Sequence, residues 1–182
     1  MADTTANFVN LVKERSSGNN PPLSSLLEQK LYAQAIAILR QDIDSLLRAS
    51  YLLTIGDRAE RSALMEAMIR GEEWKTGKKI MMDTDMAAVV FHSNKWITEV
   101  FDFGNLFKNI SDHHDFTTAD PLAGLTSIQK TTMRYYLSTY HQFPYDVQMN
   151  FTNVIAYLPK VASKVSSNLK RNLFDLEHNK QH

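Results

Sequence analysis

The apolar residues of this chain recur at the spacing of an α-helix along most of its length. One stripe advances in steps of three, four and seven residues, on Tyr32, Ile36, Leu39, Ile43, Leu46 and Leu53. A second stripe has the same steps, on Val89, Trp96, Val100, Phe103, Phe107 and Ile110. A helix face repeats every 3.6 residues or so and a strand alternates every two, so both stripes predict helices. No stretch of the sequence shows the alternation of a half-buried strand.

Turn-forming residues divide this pattern into helices of ordinary length. We predict helices over residues 7–15, 23–53, 58–70, from 83–85 through Ile110, 127–141 and 146–176, the last kinked or divided at Pro159. The connector that holds Trp74 and Gly77 is predicted to be a surface loop. The expected fold class is all-α, an up-and-down bundle of about five principal helices.

The length and composition fit one folded domain. A chain of 182 residues with 43% hydrophobic residues can bury one substantial core. The run from Ser16 to Pro22 combines turn formers with two prolines, which predicts a hinge. We therefore divide the chain into residues 1–22, a short N-terminal helix with a Pro/Gly hinge, and residues 23–182, a single helical-bundle domain.

The charge balance and residue types exclude several classes of function. The 20 basic and 20 acidic residues cancel, so no global field attracts nucleic acid or an anionic membrane, and any such binding is local. The absence of cysteine excludes disulfides and thiolate metal sites. Charged residues interrupt every hydrophobic run, and the first twenty residues lack an apolar leader. We expect a cytoplasmic protein with no membrane partner.

Residues able to handle a proton and a phosphate are concentrated in one segment, Phe107 to Asp115. If the helix continues through this segment, Asn109 and His113 are four residues apart and share a face. Lys108 and His113 diverge by roughly 140°, so Lys108 reaches the same pocket only through its long stem or a local loosening of the helix.

The two adjacent histidines have different expected roles. Their side chains point about 100° apart, which makes a shared metal ion unfavourable. His114 continues the apolar stripe and is interpreted as a core residue. His113 is the reactive candidate; the alternative is a surface histidine, with Lys108 paired to Asp112.

The pattern Lys108-Asn109-x-x-x-His113, near the end of a long helix, resembles the Arg-Asn-x-x-x-His signature of the HEPN superfamily, and the chain looks closest to its small stand-alone, plasmid-type members. The resemblance implies an endoribonuclease of a bacterial toxin, toxin–antitoxin or defence type that needs no metal or cofactor. It also implies a homodimer whose two motifs face one cleft, with RNA as substrate and an antitoxin or other partner protein. In that scheme His113 is the general base on the RNA 2′-hydroxyl, Lys108 steadies the phosphate charge and Asn109 orients the histidine.

This sequence departs from the family pattern at one anchor. Lys108 stands where the family has arginine, and an ammonium lacks the planar fork that binds two phosphate oxygens. A catalytically inactive HEPN-like module that binds RNA, a nucleotide or a partner protein therefore remains an alternative. Asp115 occupies the place of the tyrosine in the tyrosine-modified version of the motif, so that version is not expected.

Other constellations allow further hypotheses. His114 and Asp115, with His92 and Asp146, have the residue types of an HD-type metal phosphohydrolase, although the flanking residues of that motif are missing. A basic C-terminal helix could contact RNA or form a solvated face; its residues are Lys160, Lys164, Lys170 and Arg171. A group of aromatic residues could stack on bases or belong to the core: Tyr135, Tyr136, Tyr140, Phe143 and Tyr145.

Overall fold

A computed structural model describes residues 4–18, 23–107 and 120–179. The helices are α1 Thr4–Gly18, α2 Leu23–Glu28, α3 Tyr32–Thr54, α4 Arg58–Ile69, α5 Asp83–Ser93, α6 Lys95–Leu106, α7 Ser127–His141, α8 Phe151–Ile155 and α9 Leu158–Glu177. Two short strands, β1 Lys75–Thr76 and β2 Lys79–Ile80, pair antiparallel, and Pro121–Gly124 forms a 3₁₀ turn. The predicted all-α class is confirmed, and the helices are consistent with a bundle.

Local capping explains the two helices whose bounds match the prediction most closely. At the start of α4, the side chain of Asp57 accepts hydrogen bonds from the backbone N–H groups of Ala59 and Glu60. At the start of α7, Thr126 and Gln129 form a reciprocal capping box, with distances of 3.2 and 2.9 Å. Such caps satisfy backbone donors that have no partner inside the helix.

Three predicted helices are divided. The helix predicted over 23–53 breaks between α2 and α3, where Lys30 has a left-handed φ of 58°. The helix predicted from 83–85 through Ile110 breaks at Asn94, whose φ of −151° and ψ of 84° are not helical. The predicted division near Pro159 is confirmed: Pro159 is the second residue of α9, in the first turn, where its missing N–H removes no intrahelical bond.

The predicted surface loop at Trp74 was right about the exposed residues that follow Trp74 and wrong about Trp74 itself and the local backbone. The segment forms the β1–β2 hairpin, and Trp74 is only 2% exposed. Its ring lies 6.1 Å from that of Tyr51 and 5.2 Å from the guanidinium of Arg48. Arg48 also pairs with Asp83 at 3.0 Å. The connector is therefore attached to its surroundings through a buried indole.

The chain divides into two compact units. The first unit contains the described residues 4–18, 44–98 and 166–179, and the second contains 23–43, 99–107 and 120–165. The helices α3, α6 and α9 contribute residues to both units. The predicted single domain over 23–182 stays a prediction.

Each unit has its own buried residues. In the first unit α1 packs against α4, and the core includes Phe8, Val9, Leu46, Leu47, Met65, Met86, Val90, Leu173 and Leu176. The second unit has an aromatic core built on Phe103, Phe107, Tyr136 and Phe143. Gly104 of α6 approaches Ile43 of α3 so closely that a Cβ at position 104 would lie 2.9 Å from Ile43 Cδ1.

Candidate functional site

The three residues of the predicted site lie outside the described residues. Lys108, Asn109 and His113 belong to the segment 108–119, as do His114 and Asp115. The structure describes the chain up to Phe107, the residue directly before Lys108, and resumes at Asp120.

The residue before the motif is anchored in the core of the second unit. Phe107 is 1% exposed, and its ring centroid lies 5.1 Å from that of Phe103 in an edge-on arrangement. Phe103 in turn lies 4.7 Å from the ring of Tyr136 on α7. Aromatic pairs of this kind contribute about 0.5–1.5 kcal/mol beyond their area burial. The end of α6 is therefore fixed by ring packing up to the residue before Lys108.

Asp120, where the described chain resumes, is also held in place. Its side-chain Oδ1 accepts hydrogen bonds from the backbone N–H groups of Leu122 and Phe151, both at 3.0 Å. The first bond caps the 3₁₀ turn, and the second joins that turn to the start of α8. Phe151 itself packs edge-on against Tyr32, 5.3 Å away. Both residues that bracket the motif segment thus have defined contacts inside the second unit.

A polar cluster of Glu99, Tyr140 and Lys164 joins α6, α7 and α9 within the second unit. The phenol of Tyr140 donates a short hydrogen bond to Glu99 Oε2. The Lys164 ammonium lies 4.4 Å from the centre of the Tyr140 ring, within cation–π range. Burial, followed by the hydrogen bond to Glu99 and its charge, raises the pKa of Tyr140. Burial lowers the pKa of Lys164. Tyr140 therefore stays a neutral donor to the carboxylate.

A buried histidine lies beside this cluster. His141 is 7% exposed, and its Nε2 lies 3.2 Å from the hydroxyl of Tyr136. Burial, with smaller contributions from the charges of Lys164 and Lys160, lowers the pKa of His141 to about 4. The imidazole is neutral at neutral pH and serves a structural hydrogen bond. No motif in the sequence pointed to His141, although its place four residues after the buried Leu137 is on the inner face of α7.

The basic helix and the aromatic group divide into residues with different environments. Lys160 and Lys164 each lie over a tyrosine ring of the second unit, Tyr157 and Tyr140, at 4.9 and 4.4 Å. Lys170 and Arg171 belong to the first unit and are exposed. Of the aromatic residues, Tyr136 and Phe143 are core, whereas Tyr135 and Tyr145 are 47% and 72% exposed. Tyr140 is half-buried with Lys164 over its ring, so Tyr135 and Tyr145 are the most exposed residues of this group.

The described residues also bear on the metal hypothesis. Across residues 4–18, 23–107 and 120–179, no three histidine, aspartate or glutamate side chains are grouped closely enough to hold a metal ion. His92 and Asp146 are both exposed, and His114 and Asp115 lie outside the described residues. Within the same ranges no helix combines the length and the apolar character needed to cross a membrane.

Comparison of the chain with protein-family models, with curated proteins and with solved structures gives no match.

Proposed function

We propose that this chain is a HEPN-like, metal-independent endoribonuclease of a bacterial toxin or defence type, with its site at Lys108, Asn109 and His113. The observation that carries the proposal is the Lys-Asn-x-x-x-His spacing in an all-α protein. The motif begins directly after Phe107, which follows the last residue of α6 and is anchored by ring packing. A phosphate-handling motif needs such a support, because a displacement of about 1 Å in a catalytic group can cost a hundredfold in rate.

The proposed reaction is a transfer within the RNA backbone. His113 removes the proton from a ribose 2′-hydroxyl, and the 2′-oxygen attacks the adjacent phosphorus. The bond from phosphorus to the 5′-oxygen breaks, and that oxygen leaves with a proton from solvent. The products carry a 2′,3′-cyclic phosphate and a 5′-hydroxyl. Lys108 stabilises the charge that develops on the phosphate oxygens, and Asn109 holds the imidazole in the productive orientation.

The Lys108 departure supports a second candidate, a HEPN-like module that binds RNA, a nucleotide or a partner protein without cutting. A lysine neutralises a phosphate as a point charge but does not bind two of its oxygens at once. Such a module would retain an RNA affinity that weakens as salt rises. The two candidates agree on which residues meet the phosphate and disagree on whether His113 removes a proton.

The test is cleavage of an end-labelled RNA by the purified full chain in the presence of EDTA. We expect cutting by the native chain and a loss of at least a hundredfold in His113→Ala, because general base catalysis contributes about 10²–10⁴-fold. The matched control is His92→Ala, which removes an exposed histidine on α5 and should leave the rate unchanged.

Each other outcome selects an alternative. Cutting that requires a divalent cation and is lost in His92→Ala supports the HD-type phosphohydrolase. RNA binding without cutting, equal in the native chain and in His113→Ala, supports the non-catalytic module. Both results overturn the proposed metal-free nuclease.

A further inference from the structure

The first unit contains a small polar cavity that the proposed function does not use. It measures about 210 Å³ and lies between α3, the α5–α6 junction and α9. Its lining is Ser50, Leu53, Ser93, Asn94, Ile97, Asn168, Arg171 and Asn172. Six of these eight side chains are polar.

Two of the polar lining residues are buried and joined to one another. Asn172 is 8% exposed, and its Nδ2 donates to Ser50 Oγ at 2.7 Å. Ser50 is 6% exposed and donates to the carbonyl of Leu46 at 2.6 Å. Burying polar side chains at positions 50 and 172 costs desolvation free energy, which apolar side chains there would avoid. The bonds hold the Asn172 amide in a fixed orientation and leave it a second N–H.

The charge of the cavity lining is positive. Arg171 is its single charged residue, and no carboxylate lines the cavity. Asp175 Oδ2 lies 3.9 Å from Arg171 Nε, at the outer limit of an ion pair. Asp175 is 3% exposed and offsets part of the charge, and a guanidinium carries four N–H donors besides the one on Nε.

The N-terminal end of α6 adds to the positive charge of the cavity lining. Asn94, which precedes this 12-residue helix, and Ile97, in its first turn, both line the cavity. The N-terminal end of a helix carries a partial positive charge and favours an anion. Arginine, amide donors and a helix terminus thus meet at one small cavity.

From this lining we infer that the cavity binds a phosphate monoester with a small, sugar-sized body. Arg171 would hold two phosphate oxygens through its planar fork, and Asn94 and Asn172 would donate to the remaining polar groups. The apolar side chains of Leu53 and Ile97 would lie against the sugar-sized body. None of the lining residues belongs to the motif at Lys108 to His113, and neither proposal depends on the other.

The test is calorimetric titration of the full chain with ribose 5-phosphate, with inorganic phosphate, and with ribose as the neutral control. We expect saturable one-to-one binding of ribose 5-phosphate and no detectable binding of ribose. Arg171→Gln should weaken binding at least tenfold, because a charge-assisted hydrogen bond is roughly twice as strong as a neutral one. Lys170→Gln removes the adjacent exposed cation, which does not line the cavity, and should change the affinity less than twofold.

A second variant tests the same site in case Arg171→Gln weakens binding by unfolding the protein. Asn94→Asp places a negative charge at an exposed lining position without changing side-chain volume, and it should weaken binding by a similar factor. His113→Ala should bind as the native chain does, whether or not that variant cuts RNA. The inference is overturned by absence of saturable binding, by equal affinity for ribose, or by equal effects of Arg171→Gln and Lys170→Gln.

Discussion

At the scale of single residues, the proposed chemistry depends on Lys108. An ammonium presents one compact charge, whereas arginine presents a rigid fork that matches two phosphate oxygens. If Lys108 meets the phosphate in the transition state, restoring the fork should strengthen that contact. A stronger contact in the transition state should raise the rate of RNA cleavage.

We expect Lys108→Arg to raise the rate of RNA cleavage by about five- to tenfold, which corresponds to one added charge-assisted hydrogen bond of about 1 kcal/mol. Lys108→Gln should lower the rate at least tenfold. The measurement is a single-turnover rate at saturating RNA, so that affinity does not enter. An arginine variant no faster than the native chain would remove Lys108 from the phosphate site.

His141 gives a prediction that concerns stability. Its folded pKa of about 4 lies below the ordinary value of 6.5, because burial disfavours the charged imidazole. Between those two values the unfolded chain binds a proton at this residue that the folded chain does not. The contribution of His141 to stability is therefore full above pH 6.5 and is lost as the pH falls toward 4.

The loss should amount to at most about 3 kcal/mol in the free energy of unfolding. Urea denaturation at a series of pH values should show it, and His141→Gln should reduce the decline below pH 6.5. The control His92→Gln alters an exposed histidine and should keep the native decline. A variant at position 141 with the native pH profile would contradict the assigned burial effect.

At the scale of elements, local signals gave the right helix where a cap and a stop residue agree. The helix predicted over 127–141 matches α7, since Thr126 and Gln129 cap its start and a left-handed Gln142, with φ of 60°, ends it. Breaks inside a continuous apolar stripe were missed. The stripe from Val89 to Trp96 keeps its seven-residue step across the break at Asn94, and Val89 is 44% exposed. The spacing of apolar residues alone does not show where a helix is interrupted.

The hairpin was missed for a related reason. Each strand is two residues long, too short for an alternating pattern, and what fixes the connector is the tertiary burial of Trp74. Of the candidate site, the sequence supplied the motif residues, whereas the Glu99–Tyr140–Lys164 cluster required three helices to come together. Contacts between residues far apart in the sequence produce no local residue spacing from which they could be predicted.

The close approach of α6 to α3 in the second unit can be tested with a double-mutant cycle. In Gly104→Ala the added Cβ would lie 2.9 Å from Ile43 Cδ1, and Ile43 is only 2% exposed. We expect a loss of about 1 kcal/mol in the free energy of unfolding, because overpacking a core outweighs the helix propensity gained.

Ile43→Val removes the opposing methyl group. In that background Gly104→Ala should be neutral or stabilising by up to about 1 kcal/mol, which gives a coupling energy of 1–2 kcal/mol. Chemical denaturation of the four proteins measures the cycle. Additive effects of the two substitutions would mean that the helices do not approach at this point.

At the scale of the whole molecule, the balanced charge of 20 basic and 20 acidic residues leaves RNA binding to local groups. The HEPN resemblance adds a second requirement, since two motifs facing one cleft need two chains. We therefore predict a homodimer in solution. Light scattering coupled to size-exclusion chromatography should give twice the chain mass at micromolar concentration. A monomer that still cuts RNA would show that one motif is sufficient.

The central claim is that His113 activates a ribose 2′-hydroxyl without a metal ion. The most direct measurement compares two RNAs of one sequence in EDTA, one unmodified and one carrying 2′-O-methyl groups throughout. We expect the unmodified RNA to be cut to fragments ending in a 2′,3′-cyclic phosphate, and the methylated RNA to stay intact because it has no 2′ proton to remove. Equal cutting of both RNAs, or cutting that stops when EDTA is added, would contradict this role of His113.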